Sequence, residues 1–286
     1  MTDRQAAPTR KPTVPRAQKL RLVAALRSHP GMVRSHNEDS IAASVEEGLF
    51  VLADGMGGYN AGEVASGMAT TLLRSELERD LRKWRSELQR DGVARVHALL
   101  TTRVSQANQA IYHAAHHQPQ YEGMGTTLVV AVFSGNTLSI AHLGDSRCYR
   151  WRDGRLEQIT RDHSLLQEQM DAGLITPEMA AMSRNKSLVT RALGVDPDAD
   201  LEINDHEVRA GDLYLLCSDG LSDMVEDHDI AGVFQALSQN LDASADALVQ
   251  MANEAGGRDN ISAILVRAEP VLAQDGIVSR FFQWLK

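Results

Sequence analysis

A short apolar run that ends in an aspartate and a glycine-dense turn is the feature that most constrains this chain. Phe50 to Ala53 is apolar throughout, and Asp54-Gly55-Met56-Gly57-Gly58 follows directly. Such a run, bounded by turn residues, predicts a strand that is buried on both faces. The glycines would let the backbone approach a ligand closely at the strand end, where Asp54 is held.

Three other aspartates occupy comparable positions at the ends of predicted strands. Asp219 and Asp145 follow apolar runs and lie beside glycines, whereas Asp259 precedes the apolar run 261–266. Converging carboxylates repel one another unless a cation lies between them. Oxygen ligands suit hard cations such as Mg²⁺ or Mn²⁺, whereas zinc prefers histidine and cysteine. The pattern therefore predicts a metal cluster.

The composition is that of an ordinary globular protein and argues against several classes. Of 286 residues, 43% are hydrophobic and 23% are charged. The net charge of -9 argues against nucleic acid as a partner, because backbone binding rests on clustered Lys and Arg. We see no signal peptide and no apolar stretch near the roughly 20 residues of a membrane span, so we expect a cytoplasmic protein without a transmembrane anchor. Cys148 and Cys217 fall inside apolar runs and are expected to be buried free thiols.

The chain divides into three predicted segments. Residues 1–19 carry prolines and basic residues without apolar periodicity, which predicts a flexible basic N-terminal tail. Residues 20–270 form the main domain. Residues 271–286 have apolar residues at helical spacing, which predicts a short amphipathic C-terminal helix or tail.

Within the domain, apolar spacing predicts helices over 61–90 and 92–117, separated by an Asp91-Gly92 break. Residues 173–192 lack clear periodicity and predict a loop. Predicted strands and helices come in blocks rather than in strict alternation. This order favours sheets packed on each other, with helices outside, over a doubly wound parallel sheet.

Seven motifs follow one another along the chain: Arg34-x-x-Asn37-Glu38-Asp39, Asp54-Gly-Met-Gly-Gly58, Gly123-Met-Gly125-Thr126-Thr127, Gly144-Asp145-Ser146-Arg147, Asp162-His163-Ser164, Ser218-Asp219-Gly220 and Arg258-Asp259-Asn260. Together and in this order, they resemble the motifs of the PP2C-type (PPM family) metal-dependent protein serine/threonine phosphatases of bacteria. The resemblance extends from about Leu20 to Ala268. It implies an α+β fold with four αββα layers, in which an antiparallel β-sandwich is flanked by helices on both faces.

The resemblance implies a binuclear centre that binds Mn²⁺ or Mg²⁺. Asp54 would bridge the two metal ions, and the Gly55 carbonyl would bind one of them. Asp219 and Asp259 would complete the first ion's ligands, and Asp39 would serve the second through a water molecule.

The resemblance also assigns roles around this centre. Asp145 with Asp219 would form a third, weaker metal position. Arg34 would hold the substrate phosphate, which suits the bidentate geometry of a guanidinium group. Glu38 and Asn260 would lie next to the metal ligands without binding the two ions directly.

The implied activity is hydrolysis of phosphoserine and phosphothreonine on proteins by a metal-bound water. The partners would be phosphoproteins, including a Ser/Thr kinase or its targets in bacterial signalling, and we expect a monomer. Two alternatives stay open, a small-molecule metal phosphatase and a phosphoprotein-binding pseudophosphatase. The complete set of metal-ligand aspartates speaks against the second.

The proton donor is one departure from the animal members of the family. They carry a histidine directly after the Asp-Gly pair, proposed as the general acid, whereas this chain has Met56. Methionine cannot donate a proton. His36, His163 and a water on the third ion stay open as donors.

Overall fold

The computed structural model describes residues 19–58, 61–181, 183 and 188–271. Two short 3₁₀ turns lie at Val45–Glu47 and Pro119–Tyr121. The other regular elements are strands and helices. In chain order, these are β1 (Leu20–His29), β2 (Asp39–Ser44), β3 (Leu49–Met56), α1 (Ala61–His117), β4 (Gly125–Thr126), β5 (Leu128–Ser134), β6 (Thr137–Leu143), β7 (Arg147–Arg152), β8 (Arg155–Gln158), α2 (Leu165–Asp171), α3 (Pro177–Ala181), β9 (Glu202–Glu207), β10 (Leu213–Cys217), α4 (Asp219–Ser222), α5 (Asp227–Leu237), α6 (Leu241–Glu254) and β11 (Ile261–Pro270).

The described strands form two antiparallel sheets. One has the order β1-β11-β10-β7-β8, and the other has the order β2-β3-β5-β6-β9, with β4 pairing to β3. Apolar side chains from both sheets share one buried cluster, which includes Phe50, Leu52, Tyr214 and Ile264. The two sheets therefore pack face to face as a sandwich.

Helices cover both outer faces of the sandwich. One buried cluster joins α1 to the outer face of the β3 sheet, and another joins α4, α5 and α6 to the outer face of the β10 sheet. The four αββα layers expected from the family resemblance are confirmed.

Strand β3 is buried on both faces, as its apolar sequence predicts. Phe50 and Leu52 point into the sandwich, whereas Leu49, Val51 and Ala53 point towards α1. All five side chains are fully buried. Successive strand residues alternate between faces, so a continuous apolar run is what a central strand between two layers requires. This packing fixes the position of the residue that follows, Asp54.

Helical backbone runs from Ala61 to His117 without the predicted interruption at Asp91-Gly92. The helix is nevertheless not one straight rod. Arg103 Nε lies 2.8 Å from Asp80 Oδ2, although a straight helix would separate these residues by about 35 Å. The two predicted helices therefore exist as two antiparallel arms, and the chain reverses between them.

Several other predictions meet the structure with small differences. The predicted loop 173–192 contains the short helix α3. Cys148 and Cys217 are buried free thiols, as predicted. The tails 1–18 and 272–286 lie outside the described residues, so their predicted character stays a prediction. Among the helices that the structure describes, none is long and apolar enough to cross a bilayer.

Candidate metal centre

The predicted aspartates meet at one end of the sandwich. Asp39 and Asp54 lie opposite each other where β2 pairs with β3. Asp219 follows β10 and begins α4, and Asp259 precedes β11. The carboxyls of Asp39 and Asp219 are both close enough to that of Asp54 to interact with it directly. Asp145, in the turn after β6, is close enough to repel both Asp54 and Asp219.

Burial and mutual repulsion make these carboxyls hard to ionise. Removal of water, followed by repulsion from Asp39 and Asp219, raises the pKa of Asp54 well above its ordinary value. The same causes raise the pKa of Asp219 to about 8, with Asp145 as its strongest repelling neighbour. Burial raises the pKa of Asp39 and of Asp145 to about 6 each. A divalent cation among the carboxylates would reverse this effect, because it stabilises their charged forms.

The ligand atoms fit a hard cation. Asp39 Oδ2 accepts a hydrogen bond from Ser218 Oγ at 2.8 Å, but the buried Asp39 Oδ1 has no hydrogen-bond partner among the described residues. A buried carboxylate oxygen without a partner is costly, so the site fits an electropositive ligand at this atom. The donors at this site are carboxylates and the Gly55 carbonyl, the set that Mg²⁺ and Mn²⁺ prefer.

The backbone at Gly55 is packed too tightly for any side chain. A Cβ there would lie 2.1 Å from the Gly62 carbonyl oxygen and 2.7 Å from that of Glu38. The Gly55 N–H also donates to the Glu38 carbonyl at 3.1 Å. The second glycine of this contact, Gly62, leaves no space either, because its own Cβ would lie 2.9 Å from the Glu38 carboxyl carbon. Glu38 therefore packs against β3 at Gly55 and against α1 at Gly62, at the edge of the centre.

Two threonines fix the backbone of Asp54, a role that the sequence analysis missed. Thr126 Oγ1 donates to the Asp54 carbonyl at 2.8 Å, and the Thr127 N–H donates to the same carbonyl at 2.8 Å. Thr127 Oγ1 accepts from the Asp54 N–H at 3.1 Å and lies 2.8 Å from Ser146 Oγ. The Gly125-Thr126-Thr127 motif was the available signal, but its contacts depend on the tertiary fold.

Asn260 holds the loop that carries Arg34. Its Oδ1 accepts from the Glu38 N–H at 2.7 Å, and its Nδ2 donates to the carbonyls of Pro30 (3.0 Å) and His36 (2.8 Å). Arg34 extends from this loop with 53% of its side chain exposed, and its Nη2 donates to Asp259 at 2.6 Å. The guanidinium thus lies next to the metal-ligand carboxylates and remains accessible to a phosphate.

His163 lies in a second cluster of ligand-type side chains, which contains none of the predicted metal-ligand aspartates. One nitrogen each of His142 and His163 and one oxygen of Glu202 lie within 4.8 Å of one another. His163 Nδ1 accepts from the Gly144 N–H at 3.2 Å, which leaves its proton on Nε2, 3.2 Å from Glu202. A metal-bound histidine usually donates from its other nitrogen, but here that nitrogen faces an N–H donor. This cluster therefore fits a structural contact that holds Gly144 better than it fits a metal site.

The same contacts narrow the choice of proton donor. Both nitrogens of His163 are engaged inside the protein, so it is poorly placed to protonate a leaving group. Met56 pairs with Gly125 across β3 and β4, and a Cβ on that glycine would meet the Met56 methyl at 3.0 Å. Met56 is therefore a packing residue. His36 is exposed in the Arg34 loop.

Comparisons with known proteins identify the family of this chain. A family model described as protein phosphatase 2C matches residues 32–265. The chain is 41% identical over 257 residues to the serine/threonine protein phosphatase PstP of Mycobacterium tuberculosis, covering 87% of this chain but 47% of PstP. It therefore spans about half the length of that relative. It is 34% identical over 256 residues to the serine/threonine phosphatase Stp of Listeria monocytogenes, covering 88% of this chain and 98% of Stp.

Solved structures of serine/threonine phosphatases also match this chain. The crystal structure of Mycobacterium tuberculosis PstP matches with a TM-score of 0.76 at 41% identity, covering 87% of this chain and 99% of that one. A structure of the PstP catalytic domain in complex with two manganese ions matches with a TM-score of 0.75 at 40% identity and the same coverage. The family match covers well over half of the chain. This chain belongs to the protein phosphatase 2C family.

Proposed function

We propose that this protein hydrolyses phosphoserine and phosphothreonine in proteins at a binuclear Mn²⁺ or Mg²⁺ centre. The observation that carries the proposal is the set of converging carboxyls with raised pKa values and one unpartnered buried oxygen. The relatives named above, one of them solved with two manganese ions, support the same function. The proposed ligands are Asp39, Asp54, the Gly55 carbonyl, Asp219 and Asp259, with Asp145 and Asp219 at a third, weaker position.

The bound cations would supply Lewis-acid activation of water and neutralise charge on the phosphoryl group. The chain itself supplies position and charge. Arg34 binds the phosphate oxygens from a loop that Asn260 holds in place, and its guanidinium can form two parallel hydrogen bonds. The threonine contacts to Asp54 keep its carboxylate from moving during the reaction.

The leaving serine or threonine oxygen needs a proton as the P–O bond breaks. Met56 has no proton to give, and His163 is engaged on both sides. Of the donors considered, His36 and a water molecule remain. The position of His36 favours it as the proton donor. It lies two residues after Arg34, and Asn260 holds its backbone in place.

We further propose a cytoplasmic monomer that acts on a Ser/Thr kinase or on its targets. Two buried free thiols are what a reducing compartment favours. The bacterial relatives are named as serine/threonine phosphatases, which supports phosphoproteins as the substrates. Light scattering on the purified chain would test the monomer, and a mass near twice the 31.3 kDa of one chain would contradict it.

Substrate class is tested by comparing phosphothreonine peptides with sugar phosphates under the same Mn²⁺ concentration. We expect kcat/KM to be at least about a hundredfold higher for the peptides, because extended substrates bring binding energy to the reacting group. Equal or better hydrolysis of sugar phosphates would favour the small-molecule alternative. Binding of phosphopeptides without any turnover would favour the pseudophosphatase alternative.

A further inference from the structure

A groove of about 550 Å³ lies beside the Arg34 loop and takes no part in the metal centre. Met32 and Val249 give it apolar walls, and Asp246, Gln250 and Glu254 contribute polar ones. It lies between the end of β1, the loop that follows it, and the exposed face of α6.

The groove is structurally continuous with the phosphate-binding loop. The Met32 N–H donates to the Gly257 carbonyl at 2.7 Å, and Arg34 pairs with Asp259 at 2.6 Å. The segment 257–259 therefore contacts both Met32, in the groove wall, and Arg34, and it holds these two residues in a fixed relation to each other. Met32 and Val33 directly precede Arg34 in the chain, so both lie near the residues that flank a phosphate bound to Arg34.

The loop presents apolar side chains to solvent at this point. Met32 and Val33 are each 68% exposed, although the backbone around them is fixed by Asn260 and Gly257. Adjacent exposed apolar residues on a fixed loop are typical of a surface that contacts a partner. Methionine suits varied partners, because its unbranched side chain adapts to irregular surfaces.

The polar wall of the groove carries an excess of negative charge. Arg27 is shared between Asp246 and Asp242, at 2.5 and 2.9 Å. Glu254, the remaining acidic side chain, is exposed and accepts a hydrogen bond from Gln250 at 2.7 Å. In the groove wall itself, Arg27 therefore faces two carboxylates, Asp246 and Glu254, while Asp242 outside the wall takes up part of its charge. This wall attracts a basic side chain.

We propose that this groove binds the residues next to the phosphoserine or phosphothreonine of a protein substrate. An apolar side chain lies against Met32 and Val33, and a basic side chain reaches Glu254. This inference rests on the proposed function and adds a substrate class to it, which is phosphoproteins with apolar and basic residues beside the phosphorylated position.

The test measures kcat/KM on phosphothreonine peptides in which each neighbouring position is Ala, Leu, Lys or Asp in turn. An aryl phosphate, which has no peptide flank, is measured in parallel and normalises each variant for changes in the metal centre. For the wild type we expect Leu or Lys at one flanking position to raise kcat/KM about tenfold over Asp.

Met32→Ser is expected to remove most of the preference for Leu, and Glu254→Lys is expected to turn the preference for Lys into one for Asp. Two matched controls lie far from the groove. Val45→Ser changes another exposed apolar residue, and Glu226→Lys reverses another exposed charge. Both controls should keep the wild-type peptide preferences.

The outcomes separate this inference from the proposed function. Normal aryl phosphate hydrolysis with equal kcat/KM for all peptides would contradict the proposed role of the groove, but it would still support the proposed phosphatase activity. Preferences that survive both Met32→Ser and Glu254→Lys would also overturn it. Absence of hydrolysis of every substrate would overturn the proposed function and this inference with it.

Discussion

At the scale of single residues, the carboxyls of the site lower the stability of the metal-free fold. Carboxyls such as Asp54 and Asp219 are held together where water cannot fully solvate them, and burial and repulsion raise their pKa values. The two threonines fix the backbone of Asp54, which limits how far its carboxyl can move away from that of Asp219. Functional sites commonly carry such local conflicts, which the bound ligand relieves.

Replacing Asp219 with Asn should therefore stabilise the protein when metal is removed by a chelator. The folded state raises the pKa of Asp219 from 3.8 to about 8, so it binds a proton more tightly than the unfolded chain does. Its contribution to unfolding free energy then falls as pH rises from about 4 to about 8. We expect chelator-treated wild type to lose stability over this range and Asp219→Asn to lose less. Urea unfolding at pH 5 and pH 8 measures both, and an equal loss in the two proteins would contradict the argument.

Asn260→Ala should weaken both the fold and phosphate binding. The buried amide makes three hydrogen bonds to the Arg34 loop, and their loss is expected to cost about 2–4 kcal/mol of unfolding free energy. Because Arg34 then loses its support, KM for an aryl phosphate should rise. Asn204→Ala, which removes an exposed amide, is the control and should change neither quantity. A normal KM in a destabilised Asn260→Ala protein would separate the loop from phosphate binding.

At the scale of helices and strands, periodicity and apolar runs were sufficient for the main architecture. Strand β3 lies where the sequence predicts it, because it has one structural role and a matching apolar pattern. Helix α4 was missed, since four residues carry no period and the sequence analysis considered Asp219, where the helix begins, only as a predicted metal ligand. The family resemblance placed Asp39 and Asp54 at one centre but did not give their pairing across β2 and β3, because register depends on the turn geometry and on which strand face is buried.

Helix α4 packs so closely on β11 that its glycine cannot carry a side chain. A Cβ on Gly220 would lie 2.0 Å from the Asn260 carbonyl oxygen, so Gly220→Ala should cost at least about 1–3 kcal/mol and shift Asp219. Gly232→Ala in helix α5 is the matched control, because nothing lies within 4 Å of its Cβ. That control should gain about 0.5–1 kcal/mol from helix propensity. Thermal unfolding compares the two, and a harmless Gly220→Ala would refute the close packing.

At the scale of the whole molecule, the metal centre joins the two sheets of the sandwich. Asp39 and Asp54 belong to the β3 sheet, whereas Asp219 and Asp259 flank strands of the β10 sheet. A cation bound by all four would link the sheets at one end. This arrangement could not be derived from composition or periodicity alone, because it depends on how the two sheets stack.

Metal should therefore stabilise the whole fold rather than one loop. At Mn²⁺ concentrations a hundredfold above the dissociation constant, one site contributes about 2.7 kcal/mol. We expect Mn²⁺ to raise the melting temperature and to slow hydrogen exchange at the ends of both β3 and β10. Slower exchange confined to one sheet would contradict a centre that both sheets share.

The central claim is that these carboxylates form a binuclear centre, and metal stoichiometry tests it most directly. The protein is loaded with Mn²⁺, dialysed and analysed for manganese per chain, alongside Asp54→Asn, with circular dichroism to check that both are folded. We expect about two ions per wild-type chain and less than about one in the variant, because Asp54 is the ligand that the family resemblance assigns to both ions. A folded wild type that retains no manganese, or a variant that retains the wild-type amount, would contradict it.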